Sequence, residues 1–261
     1  NFKNRKTTMI NFFRKIRKKM ADDNRPLKYF SYAIGEIVLV VIGILIALQI
    51  NNWNEQRKSK ELMLINIQSI NDDIKADKLL LNKIINSLNN QIESGNYILP
   101  IMESEEHLIL DSLKFILSFN EFTTTPIISD HKTTWDYLSS SGVLSEFPDP
   151  KLLNMLQNYY NDFNGVSTNF TNSANPGRLE LRKLKYELFT DMDHKKFFPT
   201  KSPEVPNKKV YTAIFNDKRV LPLCRFISST AIFFDRRLMD VQKKADSIIK
   251  YLDQNYKHLE Q

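Results

Sequence analysis

The stretch YFSYAIGEIVLVVIGILIALQINNW, residues 29–53, decides how this chain is organised. It contains one charged residue, Glu36, and an uninterrupted apolar run over residues 37–48. On a membrane-insertion scale this run contributes about −5 kcal/mol, which outweighs the ~+2.5 kcal/mol cost of a central acidic residue. At about 1.5 Å per residue, a helix of this length matches the hydrocarbon core of a bilayer. The sequence therefore predicts one transmembrane helix over residues 29–53, and a buried core helix is the competing interpretation.

The charges on either side of the span predict its orientation. Many Lys and Arg residues precede it, whereas the basic residues after it alternate with acidic ones. Because Lys and Arg are retained in the cytoplasm, we expect a cytoplasmic segment, residues 1–28, and a periplasmic domain, residues 54–261, of a bacterial inner-membrane protein. The sequence QINNW that follows the apolar run lacks a small-x-small cleavage site, which favours an uncleaved signal anchor over a cleaved signal peptide.

The basic segment before the span is the main source of the net charge of +7. In MINFFRKIRKKM, residues 9–20, apolar side chains fall near one helical face and basic side chains on the other. Such a helix lies in the headgroup plane, although a solvated basic tail that only sets topology fits the same residues. The basic residues that would meet the membrane surface are Arg14, Lys15, Arg17, Lys18 and Lys19. Because the excess charge is concentrated here, it does not indicate nucleic-acid binding.

Two segments carry a family resemblance. FFRKIRKKM followed by YAIGEIVLVVIGILIALQINNWNEQRK, within residues 12–58, resembles the shared start of a family of single-span membrane proteins of unknown function, common in Bacteroidota. TTWDYLSSSGVLSEFPDPKLLNMLQNYY, residues 133–160, is similar to the middle segment of that family. Here Trp135 replaces a more usual tyrosine, and Pro148 and Pro150 interrupt a stretch normally free of proline. The resemblance implies the single-span topology, and it implies no catalytic residue.

The span itself presents a stripe on which another helix is expected to pack. Gly43 and Ala47 form a small-xxx-small pair, which lets a second helix approach closely in lipid. Helical spacing places five residues on this stripe: Glu36, Val40, Gly43, Ala47 and Ile50. We therefore expect a homo-oligomer or a partner transmembrane helix. Glu36 either contributes to that interface or belongs to an oligomeric proton or ion pathway, and its position about two turns from the cytoplasmic surface favours the first interpretation.

The remainder predicts an all-α fold, in which an up-and-down helical bundle with a long C-terminal helix follows the span. Residues 54–98 form one predicted helix, whose apolar seam is broken by Asp77 and which Gly95 and Pro100 are expected to end. The C-terminal helix has a seam over residues 227–252 without a polar interruption. Antiparallel pairing of the two seams within one chain satisfies both, as would a parallel self-associating coiled coil.

Shorter elements are predicted between these two helices. The first is a helix from Ser104 that is expected to bury Leu108, Leu110, Leu113, Ile116 and Leu117. Further along the chain we expect a loop over residues 120–130, a helix over residues 133–140 closed by Gly142, a helix capped by Asp149 and closed by Asn164 and Gly165, a helix over residues 176–189, and a proline-rich surface excursion over residues 191–209.

No recognisable catalytic motif is present in the sequence. His107, His131, His194 and His258 form no metal-binding i, i+4 pair. Asp191, Asp193 and His194 are more typical of a solvated turn than of a metal site, because two lysines follow them. Cys224 is the only cysteine, so an intrachain disulfide is excluded, and its apolar helix predicts a buried thiol. We therefore predict no catalytic residue, no metal ligand and no cofactor.

These features predict a membrane-anchored helical protein that acts by binding, scaffolding or sensing. Its expected partners are the lipid bilayer, another copy or another transmembrane helix, and an unidentified periplasmic partner, but not nucleic acid. Two alternatives stay open, namely the ion pathway through Glu36 and a membrane-anchored enzyme with a site that local sequence does not reveal.

Overall fold

A computed structural model describes residues 26–197, 204–205 and 207–256. Within these ranges the chain is helical with connecting turns and no strand, which confirms the all-α prediction. The helices are α1 (Pro26–Glu103), α2 (Ser112–Glu121), α3 (Thr133–Ser140), α4 (Pro150–Asn169), α5 (Asn175–Leu188), α6 (Asp191–Phe197), α7 (Lys208–Asn216) and α8 (Val220–Asn255). A 3₁₀ turn covers Val143–Glu146, and a π-helical turn, Phe170–Ala174, joins α4 to α5. The chain divides into two compact units, residues 1–63 and 64–261.

The first unit contains the N-terminal part of α1. An apolar window of 18 residues there is long enough and apolar enough to cross a membrane, and none of it is buried inside the chain. Side chains all around the helix are exposed, such as Ile37 at 63%, Leu39 at 70% and Leu45 at 58%. The predicted apolar helix is therefore present and uncovered by other parts of the described chain.

The second unit is a bundle of four helical segments, which we call legs, and each leg runs antiparallel to the one before it in the chain. Residues 64–103 of α1 form the first leg, and residues 112–140 return along it. The third leg is α4 with the π-turn and α5, and α8 is the fourth. The hydrogen bonds between the first and second legs show that the two run antiparallel: Asp73 bonds with Thr134, Asp77 with His131, and Gln91 with Glu121 and Thr124. The first and fourth legs do likewise: Lys78 with Asp246, Asn82 with Gln242, and Glu103 with Arg225.

The predicted seams are buried inside this bundle. On α8 every predicted position is buried, from Ile227 at 0% to Leu252 at 3% exposed. On α1 the buried positions include Ile67, Ile70, Ile74, Leu81 and Leu88. The antiparallel arrangement within one chain is thus the one that the second unit adopts. It places α8 beside α1 and α4, where its seam forms much of the core.

Helix α1 does not end at Gly95 or Pro100, so that prediction was wrong. At Gly95 α1 and α8 approach closely, since a Cβ atom there would overlap the Ser228 hydroxyl and lie 3.0 Å from Ser228 Cβ. Pro100 lies inside the last turn, and its missing N–H costs one backbone bond near the helix end. Ile98 and Met102 are buried in the core on either side of it. Burial of these two side chains therefore stabilises a helix that continues through Pro100.

The helix predicted to begin at Ser104 instead begins at Ser112. Asp111 caps it by accepting from the Lys114 N–H at 2.9 Å. Leu108 and Leu110, which were expected in the core, are 62% and 87% exposed. The prediction placed the start of the helix before the apolar residues, whereas in the structure the helix starts directly after Asp111, which is the stronger capping residue.

Asn164 and Gly165 do not close α4, and this prediction was also wrong. Phe163, Val166 and Phe170 are buried on one face of the helix. Their packing stabilises the helical conformation on both sides of Gly165. The wider π-turn follows, with the Asn175 N–H bonded to the Phe170 carbonyl, so Pro176 is accommodated at the start of α5. By contrast, the predicted caps at Gly142, with φ of 77°, and at Asp149 are confirmed.

The close approach at Gly95 generates a paired test. Gly95→Leu should lower the free energy of unfolding by about 2 kcal/mol or more, because the side chain must displace α8. Gly165→Leu should leave it unchanged or raise it by up to about 1 kcal/mol, because nothing lies within 4 Å of its Cβ position and a helical glycine is replaced. Denaturant unfolding followed by circular dichroism measures both, and equal effects would contradict the close packing of α1 and α8.

Candidate functional site

The predicted association stripe lies on the exposed apolar part of α1. Val40 and Ile50 are 57% and 61% exposed, and nothing lies within 4 Å of a Cβ atom placed on Gly43. The helical path keeps Glu36 and Ala47 on the same side, at spacings of three and four residues. The geometry needed for a helix–helix contact is present, while the contact itself stays a prediction. The predicted membrane-surface residues Arg14, Lys15, Arg17, Lys18 and Lys19 lie outside the described residues.

A buried carboxylate replaces the apolar residue at the break in the α1 seam. Asp77 is fully buried, and its Oδ1 accepts from the His131 backbone N–H and from His131 Nδ1, both at 2.7 Å. Its Oδ2 accepts from the Tyr159 hydroxyl at 2.8 Å. Burial raises the pKa of Asp77, and the bonds from His131 and Tyr159 oppose that rise. The cluster ties three legs of the bundle together.

A second buried polar group is centred on the guanidinium of Arg178, which is fully buried. Its Nε and Nη2 donate to Gln91 Oε1 at 3.0 and 2.8 Å, and its Nη1 donates to Thr230 Oγ1 at 3.1 Å. Its Nη1 also donates to the carbonyl of Ala174, the last residue of the π-turn, at 3.0 Å. Burial lowers the pKa of Arg178 to about 10. The cation is held entirely by neutral acceptors in the described residues.

Two further cations follow Arg178 on the same face of α5. Arg182 donates from Nε to the Thr123 carbonyl and from Nη2 to Thr125 Oγ1, both at 2.8 Å. The ammonium of Lys185, a residue only 7% exposed, donates to Asn120 Oδ1 at 2.6 Å and to Thr123 Oγ1 at 3.2 Å. Burial, and secondarily the charge of Arg182, lowers the pKa of Lys185 to about 8.

These cations line a cavity of about 290 Å³ between α5, α6 and the loop after α2. We call it the cation cavity, and its lining is Asn120, Thr123, Thr124, Thr125, Arg182, Lys185, Tyr186 and His194. The His194 ring stacks on Tyr186 at 4.1 Å and bonds to the Lys185 carbonyl, while its Nε2 is buried without a hydrogen-bond partner among the described residues. Burial and then the charge of Lys185 lower the pKa of His194, opposed by Asp191 and Asp193.

The segment after residue 190 differs in part from the predicted surface excursion. Residues 191–197 form α6, and Asp193 is 7% exposed rather than solvated. Its carboxylate accepts from the Thr190 hydroxyl at 2.6 Å at the start of that helix. No group of three or more His, Cys, Asp or Glu side chains that could hold a metal ion occurs in the described residues. Cys224 is buried as predicted, and burial raises the pKa of its thiol.

Sequence reasoning did not find the cation cavity. Its two halves, residues 120–125 and 182–194, are about 60 residues apart and meet only through the fold. The available signal was the spacing of Arg178, Arg182 and Lys185 by four and three residues on a helix that also carries buried Leu181 and Leu184. Cations placed beside an apolar face at this period predict basic groups at the edge of a core.

One family model matches residues 36–163, a little under half of the chain, and it describes a family of unknown function (DUF6090). The match includes the apolar part of α1, the Asp77 cluster and Gln91, but it ends before Arg178 and α5. No curated protein and no solved structure matches the chain.

Two neighbouring tyrosines test the Asp77 cluster. Tyr159→Phe should lower the free energy of unfolding by about 1–3 kcal/mol, because a buried carboxylate loses a donor. Tyr160→Phe is the matched control, since its hydroxyl is buried without a hydrogen-bond partner in the described residues, and the change should be neutral or stabilising. Thermal unfolding distinguishes the two variants. Loss of stability in Tyr160→Phe alone would contradict the assigned hydrogen bonds.

Proposed function

We propose that this chain is a single-span membrane protein whose helical unit outside the bilayer acts by binding, scaffolding or sensing, without catalysis. The observation that carries the proposal is the apolar window of α1, none of which is buried inside the chain. A helix that is apolar on all sides and uncovered needs an apolar solvent or a partner. The sequence continues into a well-packed helical unit with its own core, which gives the anchored chain a part that meets soluble ligands.

The finer placement follows from sequence features. The basic residues before the span favour a cytoplasmic N-terminus and a periplasmic helical unit at the inner membrane of a bacterium. The resemblance of residues 12–58 supports an origin in Bacteroidota. A signal anchor with this orientation would hold residues 64–261 next to the membrane in the periplasm, where a binding or sensory unit meets incoming molecules.

The chemistry of the cation cavity supports binding over catalysis. Arg182 and Lys185 lie beside hydroxyls and an amide in this lining, which has no carboxylate, and cations grouped with hydroxyls are typical of anion binding. The Ser139–Ser141 hydroxyls donate to carbonyls three or four residues earlier in the chain, a local bonding pattern that needs no catalytic role. The buried polar clusters at Asp77 and Arg178 are enclosed between legs, where they support the bundle.

Association through the span is the first property to test. Wild-type protein in nanodiscs should have the mass of an oligomer, and Gly43→Leu should reduce it to a monomer, because a large side chain prevents close approach at the stripe. Gly35→Leu is the matched control. It makes the same change on another side of the helix, at roughly 100° per residue, and nothing lies within 4 Å of its Cβ position either.

Glu36→Gln then separates the roles of the intramembrane acid. If Glu36 supports the interface, the amide should keep the oligomer or weaken it, and no proton flux should be lost from proteoliposomes. Flux that is present in wild type and absent in an intact Glu36→Gln oligomer would instead assign the ion pathway. If every form is monomeric, self-association is excluded and the helical unit becomes the place where a partner binds.

A further inference from the structure

The cation cavity contains more hydrogen-bond donors than its protein partners use. A guanidinium has five N–H donors, and Arg182 uses only its Nε and Nη2 in bonds to described residues. Lys185 has three donors and two described acceptors. His194 adds no donor, because a neutral imidazole that donates to the Lys185 carbonyl leaves Nε2 as an acceptor. The unused groups belong to side chains that line one cavity.

The acceptors around these cations are neutral. Arg182 and Lys185 bond to a carbonyl, an amide oxygen and threonine hydroxyls, and none of the residues that line the cavity is acidic. A buried cation normally has a carboxylate as its partner, because neutral acceptors offset only part of the cost of leaving water. The pKa of Lys185, lowered to about 8, has the same cause. The cavity thus contains positive charge that the described side chains do not neutralise.

The size of the space fits a small ligand. Its volume of about 290 Å³ is at the lower end of the range for small-molecule sites. Arg and Lys together with hydroxyl groups are the side chains that recognise tetrahedral oxyanions. Tyr186 and the ring of His194 give one wall an aromatic surface.

We propose that the cation cavity binds the oxyanion group of a small ligand, a phosphate, phosphate ester or sulfate, through Arg182 and Lys185. This deepens the binding role proposed above by naming the ligand class. Thr125 supplies a hydroxyl at the same site, whereas the Thr123 and Thr124 hydroxyls donate to the Asn120 and Glu121 carbonyls at 2.8 Å. The oxyanion replaces the missing carboxylate, and its binding also fastens the loop after α2 to α5.

The experiment uses the full chain in nanodiscs of zwitterionic lipid, titrated with sodium sulfate or inorganic phosphate. Sodium chloride at equal ionic strength is the salt control. A saturable rise in the unfolding temperature is expected with sulfate and phosphate but not with chloride, because a ligand that binds the folded state stabilises it. No rise beyond that in chloride would overturn the proposal.

Variants locate the site. Arg182→Gln and Lys185→Gln should each weaken sulfate binding at least tenfold, whereas Lys183→Gln, which makes the same change at an exposed position of α5, should bind as wild type does. An equal response in all of them would mean non-specific salt binding and would overturn the proposal.

Lys185→Met separates a role of Lys185 in binding from a role in stabilising the fold. It should fold with an unchanged or higher unfolding temperature in chloride and lose the response to sulfate, whereas a large fall in that temperature together with an unaltered sulfate response would make Lys185 a structural clamp.

The pH dependence adds an independent readout. With Lys185 protonated below pH about 8 and neutral above it, sulfate affinity should fall about tenfold between pH 7 and pH 9. Sulfate keeps its charge over this range, and Lys185→Arg should flatten the profile. The other titratable groups nearby are Arg182 and Tyr186 on α5, Glu121 on α2, and Asp191, Asp193 and His194 on α6. A flat wild-type profile would contradict a role for Lys185 as the charged ligand of the anion.

A phosphate group can come from a free molecule or from a lipid headgroup. Nanodiscs that contain anionic phospholipid distinguish these sources. If the headgroup occupies the cavity, such nanodiscs should raise the unfolding temperature of wild type but not of Lys185→Gln, and they should abolish the further response to sulfate. If the ligand is free, sulfate should act equally in both kinds of nanodisc. Neither result depends on whether Gly43 supports an oligomer, so this proposal and the association test fail separately.

Discussion

The antiparallel packing of α8 against α1 is the interaction on which the helical unit depends. Both helices present an apolar seam of alternating three- and four-residue spacing, and α8 buries its own over residues 227–252. Such seams alone tolerate a shift by one repeat, because the same side-chain types recur. The buried polar groups remove that freedom. A shift of α8 along α1 would separate Thr230 from Arg178, whose guanidinium is held by Gln91 of α1, and would move Ser228 away from Gly95. The buried cation would then lose an acceptor, at a cost of roughly 1–3 kcal/mol.

The same helix α1 also shows how a local pattern encodes two environments. Over residues 37–48 it is apolar on every side and exposed, and over residues 67–88 it is apolar on one face, which is buried. The first pattern suits lipid and the second suits the edge of a water-soluble core. The side chains of each region suit its own environment, so one continuous helix can contain both patterns.

Features with a local cause were predictable from the sequence. The seams, the Asp149 cap and the turn at Gly142 depend on residues close together in the chain, and the structure has them as expected. The helix ends at Gly95 and Gly165 were mispredicted because buried residues far away in sequence decide them. The apolar stripe around Gly43 follows from helical spacing, and a partner helix that packs on it stays a prediction.

The cation cavity belongs to the class of features that sequence alone could not give. Asp77 was visible as a polar break in a seam, but its partners His131 and Tyr159 were not, and Lys185 was not singled out at all. Its lowered pKa arises from burial against a loop that is about 60 residues away. Uncompensated charge is a property of the assembled bundle, because only folding determines which acceptors surround each cation.

Topology is the most direct test of the central claim, a helical unit anchored by one span. The test uses two variants, Lys18→Cys and Lys243→Cys, the second at an exposed position of α8. Intact cells that express each variant are treated with a maleimide that crosses the outer but not the inner membrane. Cys224 is 0% exposed, so it should remain unlabelled in the folded protein. We predict labelling at position 243 and none at position 18, with the protein retained in the membrane after alkaline extraction. Labelling at position 18 alone, or release by alkali, would contradict the account.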